Sequence, residues 1–206
     1  MHEKSFRFLL LVFCFCLFAC KEKQQQLPVL GEPELIGNEK VYPTIASFNF
    51  INQDSQQVNA GTFTDKVYIA DFIFLSCPTI CPKMTAAMNK VYRAYLQDDR
   101  VALLSHTIDP DNDTIPRLKA YANNLQVSTP KWHFVTGNQD TIMHLAEKSY
   151  FSAAYPDSTA PGGFTHSGGL LLIDKNRHIR GVYNGTKPAE TDRLIADIAV
   201  LLAEQF

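Results

Sequence analysis

The chain has 206 residues, a formal net charge of −2 at neutral pH, and no cluster of lysine and arginine residues. This charge distribution argues against a protein that binds nucleic acid or that attaches directly to anionic lipid. The length is that of one ordinary domain with a short additional segment.

The first residues have the pattern of a bacterial export signal. Lys4 and Arg7 precede an apolar run at residues 8–19, which ends in the sequence LFAC at Cys20. The run is shorter than the roughly 20 apolar residues that a transmembrane helix needs, and it fits a secretory signal. LFAC resembles a lipobox, so we expect residues 1–19 to be removed and Cys20 to be lipidated. The alternative is an ordinary signal peptide whose cysteine happens to lie near the cleavage site.

A polar stretch at residues 20–44 follows, and its prolines and glycines predict a tether and an irregular lead-in. The protein is therefore expected to be exported and held by lipid on a bacterial membrane, facing the periplasm or the cell exterior. Of the five cysteines, two leave with the signal and Cys20 carries the lipid. Cys77 and Cys81 remain, in a compartment where thiols tend to oxidise.

Residues 45–206 predict a single α/β domain, because strand patterns alternate with helix patterns. A loose alternation at residues 45–51, followed by Val58, predicts an N-terminal β-hairpin. The remaining predicted strands span residues 67–75, 101–108, 132–135, 169–174 and 178–183, and the predicted helices span 82–96, 115–125, 140–150 and 189–203; residues 151–165 are expected to form a loop. The prediction is a central mixed sheet flanked by helices.

The stretch FLSCPTICPKM places Cys77 and Cys81 where the buried strand at residues 67–75 turns into a helix. This position resembles the thioredoxin arrangement, although thioredoxin-type exchange domains use the shorter CxxC spacing. A helix N-terminus favours negative charge, so at least one of the two thiols should ionise readily. The spacing alone leaves three interpretations open: a structural disulfide, disulfide exchange with other proteins, or a metal site.

Histidine is the next metal ligand to consider, and the chain contains six. His166 lies in GGFTHSGG, directly before the strand at residues 169–174. In a thioredoxin-like fold the loop before that strand lies against the start of the active-site helix, so His166 is expected to face the two sulfurs. The other histidines of the mature chain are expected to be packed or surface residues: His106, His133, His144 and His178.

The order of three motifs resembles the Sco/SenC family: FLSCPTICPKM, then TIDPDNDT, then FTHSGGLLLIDKNRHIRGVYNG. The resemblance covers roughly residues 45–203 and implies a thioredoxin-like, membrane-tethered copper protein involved in cytochrome c oxidase assembly. It also implies that Cys77, Cys81 and His166 are the copper ligands.

The second motif contributes Asp109 and Asp113, which match the acidic DPxxDT element of the family and which on physical grounds fit turn and N-cap positions. Many family members have a histidine before the first motif cysteine, whereas this chain has Ser76. Ser76 is not one of the three implied ligands, so the difference concerns their surroundings. Asp71 interrupts a buried strand, and we expect it either in a polar network or as a group that supports the site from below.

The resemblance leads to two hypotheses about function. The first is a chaperone that binds one copper ion, Cu(I) or Cu(II), and delivers it to the copper-site subunit of an oxidase; such a protein is a carrier and not strictly an enzyme. Another periplasmic copper carrier is a possible second partner. The alternative is a thiol–disulfide oxidoreductase that keeps the cysteines of the oxidase or carrier reduced. A thiol peroxidase is a weaker third idea, because it needs an arginine at the site and the nearest after the pair is Arg93.

Overall fold

The computed structural model describes residues 26–206, so the predicted signal at residues 1–19 and the lipidation site Cys20 lie outside the described part. In chain order the strands are β1 (Glu34–Ile36), β2 (Glu39–Val41), β3 (Asn49–Asn52), β4 (Gln57–Asn59), β5 (Val67–Ile73), β6 (Val101–Thr107), β7 (Trp132–Thr136), β8 (Ala154–Pro156), β9 (Phe164–His166), β10 (Gly169–Ile173) and β11 (Ile179–Asn184). The α-helices are α1 (Cys81–Ala94), α2 (Ile115–Leu125), α3 (Gln139–Lys148) and α4 (Pro188–Gln205), and a short 3-10 helix spans Ala60–Phe63.

A seven-stranded sheet in the order β11-β10-β5-β6-β7-β3-β4 forms the centre of the fold. β5, β6 and β7 run parallel, and the other neighbours pair antiparallel. Every residue of β5 and β6 is buried, which fits their nearly continuous apolar sequences, because a strand covered on both faces needs apolar side chains on both sides. The predicted mixed sheet with flanking helices is confirmed.

Helices cover one face of the sheet, and an aromatic layer with α3 beside it covers the other. On the first face, Tyr92 of α1 contacts Trp132, and Tyr121 of α2 contacts Phe134. α4 packs against α1 and β11. On the second face, Tyr150 follows α3 and packs against Phe72 of β5. The two crossovers β5–α1–β6 and β6–α2–β7 lie on the same face, as expected for successive right-handed connections.

The predicted N-terminal hairpin is present as β3 and β4, with Phe50 paired to Val58. Two further hairpins were not predicted. β1 pairs with β2 inside the predicted lead-in, and β8 pairs with β9 inside the predicted loop at residues 151–165. Each of their strands has only three residues, which is too short for an alternating pattern to be recognised in the sequence.

Arg180 attaches the predicted lead-in to the domain. Its guanidinium donates to the carbonyl oxygens of Leu27 (2.5 Å) and Pro28 (3.0 Å) and also bonds Asp174 and Glu204. The Arg180 side chain is only 4 % exposed, so these four partners satisfy a charge that would otherwise be costly to bury. Residues 27 and 28 are therefore held on the domain, while the domain start at residue 45 stays a prediction.

The direction of β10 determines what meets the start of α1. β10 runs antiparallel to β5, with Leu171 opposite Ala70 and Ile173 opposite Tyr68. The amino end of β10 consequently lies beside the carboxyl end of β5. His166 at the end of β9 and the Cys77–Cys81 turn after β5 meet at this edge of the sheet, although 85 residues separate His166 from Cys81 in the chain.

Candidate metal centre

The two cysteines lie on either side of a tight turn between β5 and α1. The Cys77 N–H donates to the carbonyl of Phe74 (3.1 Å), which closes the turn. Cys81 is the first residue of α1, and Pro82 follows it at a position where a proline costs the helix nothing. Both cysteines are buried and their sulfurs are not joined in a disulfide. Cys77 thus precedes the helix, and Cys81 begins it.

His166 completes a cluster of three ligand atoms. The two Sγ atoms and a ring nitrogen of His166 all lie within 4.8 Å of one another, and the distance from His166 Nε2 to Cys81 Sγ is 3.2 Å. His166 Nδ1 lies 3.1 Å from the carbonyl oxygen of Ser167. A carbonyl only accepts, so Nδ1 carries a proton, and Nε2 is the nitrogen that points at the sulfurs. This is the orientation that a metal-binding imidazole requires.

The loop that carries His166 is fixed by two glycines and a ring contact. Gly162 and Gly163 have φ angles of +85° and +84°, which only glycine adopts without strain. A Cβ on Gly162 would lie 2.6 Å from Cε2 of Phe74. The ring of Phe74 in turn meets the ring of His166 edge-on, with centroids 5.6 Å apart. The glycines therefore allow the close approach that sets His166 against the cysteines.

The two thiols have opposite electrostatic environments. Burial alone would raise the pKa of Cys77, but hydrogen bonds from His166 and from the backbone of Thr79 and Cys81 outweigh it and lower that pKa to about 6. Burial raises the pKa of Cys81 far above its ordinary value, and the neighbouring Cys77 sulfur raises it further. At neutral pH, Cys77 is a thiolate and Cys81 holds its proton. The pair combines one nucleophile with one protonated partner.

The acidic DPxxDT element is hydrogen-bonded to the turn that leads into the cysteine pair. Asp113 accepts hydrogen bonds from the Leu75 N–H (3.0 Å) and from the Thr107 hydroxyl (2.6 Å). Asp109 accepts two hydrogen bonds from the Asn112 amide, both at 3.0 Å. Neither carboxylate belongs to the three-ligand cluster. The contacts of Asp113 connect the end of β6 with the turn that leads into the cysteine pair.

Asp71 lies on the helix-covered face of the sheet, beneath the site. It accepts a hydrogen bond from the Ser105 hydroxyl (2.5 Å), and Ser105 accepts one from Trp132 Nε1 (3.0 Å). Its second carboxylate oxygen has no partner in the described part of the chain. Burial raises the pKa of Asp71 to about 7, against the lowering effect of Ser105, and its charge contributes to the raised pKa of Cys81. Asp71 belongs to a polar network and also acts on the site.

The remaining sequence-derived candidates lie elsewhere. His106 and His133 are buried, the latter beside Asn52 Nδ2 at 3.1 Å. His144 is exposed on α3, and His178 lies beside Asp174. Arg93, considered for a peroxidase, donates to Asn89 and to the carbonyls of Leu125 and Gln126. The sequence did not identify Tyr121, whose hydroxyl bonds Thr85 (2.7 Å) beside the cysteine pair, because a tyrosine on an amphipathic helix is most simply interpreted as a core aromatic.

Residues 37–203 match the family model SCO1/SenC. A SCO1 protein homolog of Bacillus subtilis is 33% identical over 190 residues, which cover 91% of each chain. A solved structure of BsSco, described as a member of the Sco family of cytochrome c oxidase assembly proteins, is 30% identical with a TM-score of 0.69, over 78% of this chain and 94% of that one.

A structure of Bradyrhizobium japonicum ScoI with copper bound shares the fold, with a TM-score of 0.64 at 22% identity, over 77% of this chain and 99% of that one. The family match and the likeness to BsSco confirm the thioredoxin-like fold expected from the resemblance. The chain belongs to the SCO1/SenC family.

Proposed function

We propose that this protein binds one copper ion through Cys77, Cys81 and His166 and delivers it to the copper site of a cytochrome c oxidase during assembly. The observation that carries the proposal is the cluster of two sulfurs and one imidazole nitrogen within 4.8 Å, with Nε2 of His166 3.2 Å from Cys81 Sγ. Copper is the cargo of this reaction, and Cys77, Cys81 and His166 are the groups that would hold and release it.

The chemistry of the donor set supports copper over zinc. Two thiolates and one imidazole suit Cu(I), and with a further ligand or water they also suit Cu(II). Structural zinc sites use four protein ligands, and the cluster in the described residues offers three. The copper-bound ScoI and the oxidase-assembly role given for BsSco add support from relatives.

The location of the protein forms part of the same proposal. The signal-like residues 1–19 and the lipobox-like LFAC support export and a lipid anchor on Cys20. Within residues 26–206, no helix has both the length and the apolar character that crossing a bilayer requires. We infer a domain outside the cytoplasm on a lipid anchor, where it would meet the copper-site subunit of the oxidase and a periplasmic copper carrier.

A thiol–disulfide oxidoreductase is the second candidate, and the opposite pKa shifts of the two cysteines favour it. A thiolate at Cys77 can attack a disulfide of a partner, and Cys81 can then resolve the mixed disulfide, leaving the partner as a dithiol and this protein oxidised. The same two sulfurs serve both functions. His166 separates them, because an imidazole ligand contributes more to metal binding than to disulfide exchange.

A copper titration of the reduced full chain in mild detergent, against a competing chelator, tests the proposal. His166→Ala should weaken copper binding by at least tenfold, or about 1.4 kcal/mol, because it removes one of three ligands. His144→Ala, an exposed histidine on α3, is the matched control and should leave the affinity unchanged. The Cu(II) complex should show a sulfur-to-copper charge-transfer band.

Weak binding that does not depend on His166 would contradict the chaperone and favour the oxidoreductase.

The same preparation also tests whether copper changes the mobility of the loop that carries His166. Because glycines flank His166 in GGFTHSGG, we expect metal binding to order residues 156–168. Hydrogen exchange of that segment should slow when copper is added, and equal exchange with and without copper would contradict it.

A further inference from the structure

Two grooves flank the exposed side of α1 beside the cysteine pair. The first has a volume of about 410 Å³, and its walls include both cysteines together with Leu75, Tyr121 and Leu125. The second, also of about 410 Å³, lies on the opposite side of α1. Of the three ligands, only the two cysteines line the first groove, and none lines the second, so most of both grooves lies outside the metal site.

The two grooves form one surface because they share Ala86. This residue lies exposed on α1 and lines both grooves. A partner that reaches the cysteines through the first groove would also lie across Ala86 and contact the second. We call this surface, made of the two grooves and Ala86, the α1 surface.

Apart from Cys77, the charged residues that line the α1 surface are lysines. The first groove has no charged residue in its walls other than the Cys77 thiolate, and the second has Lys83 and Lys90. Lys90 bonds Asp192, whereas Lys83 is exposed and makes no ion pair within 4 Å in the described part of the chain. No aspartate or glutamate lines either groove. In a chain with a net charge of −2, this leaves an apolar surface with an uncompensated positive charge two residues after Cys81.

The burial of the sulfurs limits what can react with them. Cys77 is 8 % exposed and Cys81 is 5 % exposed, so a reacting sulfur must enter the first groove to reach them. A protein segment that lies along the groove can place a cysteine there and bury its apolar side chains at the same time. Such a segment gains further from acidic residues near Lys83 and Lys90, since opposite charges steer the approach.

We propose that the α1 surface docks an acidic, partly apolar protein segment that carries the cysteine with which Cys77 exchanges copper or disulfide. The inference rests on the proposed function, of which it specifies the partner. In the exchange with a disulfide, the Cys77 thiolate attacks one sulfur of the segment and forms a mixed disulfide. The other sulfur leaves as a thiolate, so Cys77 is oxidised and the leaving sulfur is reduced.

Two synthetic peptides test the charge preference without copper. Both have the same length and one cysteine activated as a mixed disulfide with thionitrobenzoate; aspartates flank the cysteine in one, and lysines flank it in the other. The full chain in mild detergent reacts with each, and release of thionitrobenzoate gives the rate. The Cys77→Ser, Cys81→Ser double variant measures the contribution of any other thiols, which is subtracted.

The acidic peptide should react about tenfold faster than the basic one at low ionic strength, and the ratio should fall at high salt. Lys83→Glu should bring the ratio to one or below. Lys40→Glu, the same charge reversal at an exposed lysine on β2, is the control and should keep the ratio of the unaltered chain. Because the comparison is a ratio between peptides, a change in the intrinsic reactivity of Cys77 cancels.

Equal rates for the two peptides in the unaltered chain would overturn the proposal. A faster basic peptide would also overturn it and would assign the surface to a cationic partner, and so would an equal effect of Lys83→Glu and Lys40→Glu. The peptide rates need no copper, whereas the His166→Ala titration needs no partner. The two experiments therefore distinguish a failure of the docking proposal from a failure of the proposed function.

Discussion

Two histidines, one in the β8–β9 hairpin and one in the central sheet, show how neighbouring atoms decide what an imidazole does. His166 lies at the end of β9 beside the cysteine turn, with Nδ1 bonded to a carbonyl oxygen and Nε2 facing the Cys81 sulfur. His106 lies on β6 and is fully buried. Neither of its ring nitrogens has a hydrogen-bond partner in the described part of the chain. His166 has a polar partner at each ring nitrogen, and His106 has none among the described residues.

Aromatic rings surround the side chain of His106. It stacks on Phe72 at 5.0 Å between centroids and meets Phe48, Phe50 and Tyr150 at 5.6 to 5.8 Å. Burial lowers the pKa of His106 to about 3, so it is neutral at neutral pH and serves as one more aromatic ring of the core. The comparison teaches that position on a buried strand removes the ligand function, while a glycine-flanked loop next to sulfur supports it.

The largest expected effect concerns Asp113, whose carboxylate connects β6, the strand that carries His106, with the turn that leads into the cysteine pair. Asp113→Ala leaves the Leu75 N–H and the Thr107 hydroxyl without their buried acceptor, so the free energy of unfolding should fall by about 3 kcal/mol. Urea unfolding of the full chain measures it. Asp111→Ala, an exposed position in the same turn, should change it by less than about 0.5 kcal/mol. Equal effects would mean that Asp113 does not brace the cysteine turn.

The second effect tests whether His106 acts only as a ring. Its pKa is about 3 in the folded protein and about 6.5 in the unfolded chain, so protonation of the unfolded chain destabilises the fold as the pH falls below 6.5. The loss is about 2 kcal/mol at pH 5. His106→Phe keeps the ring and removes the titration, so its stability should fall less between pH 7 and pH 5 than that of the unaltered chain.

The measurement for His106 is urea unfolding at both pH values. His144→Phe on the exposed side of α3 is the control, and it should keep the full pH dependence of the unaltered protein. If His106→Phe retained the same loss between pH 7 and pH 5, then His106 would have to be protonated or hydrogen-bonded in the folded state. The contrast with His166 would then be wrong.

Much of this contrast was predictable from the sequence, for identifiable reasons. The apolar runs of β5 and β6 predict their burial, and His106 inside such a run was expected to be packed. The position of Cys77 and Cys81 between a strand and a helix, together with His166 before a later strand, predicts one cluster once the sheet is assumed to be mixed. The structure brings these three ligand atoms together.

Other features depend on tertiary contacts that no local pattern encodes. The sequence does not indicate that Arg180 binds the backbone of Leu27 and Pro28, because the two segments are about 150 residues apart. The pairing of β8 with β9 likewise depends on strands of three residues each. The opposite pKa shifts of Cys77 and Cys81 follow from burial and from His166, which become visible only in the folded chain.

The third prediction concerns the effect of His166 on its sulfur neighbours. Alkylation of Cys77 by iodoacetamide should be half-maximal near pH 6, where its thiolate forms. His166→Ala removes the hydrogen bond that, next to burial, affects this pKa most, so the midpoint should rise by about one unit, or 1.4 kcal/mol. Mass spectrometry of the peptide with Cys77 follows the reaction, and His144→Ala is the control. An unchanged midpoint would show that the backbone alone ionises Cys77.

The smallest expected effect separates backbone strain from contact in the loop that holds His166. Gly162→Ala and Gly163→Ala both place an alanine at a φ near +85°, which costs each about 1 kcal/mol or somewhat more. Only at Gly162 does the new Cβ meet the Phe74 ring, at 2.6 Å, whereas a Cβ on Gly163 has no atom within 4 Å.

Because Phe74 packs edge-on against the His166 ring, displacing it moves the histidine away from the sulfurs. Gly162→Ala should therefore weaken copper binding about fivefold more than Gly163→Ala, a difference of about 1 kcal/mol in the chelator titration. The two variants share the strain and differ only in the contact, so equal affinities would mean that Phe74 does not position His166. His166 would then be positioned by its hydrogen bond to the Ser167 carbonyl alone.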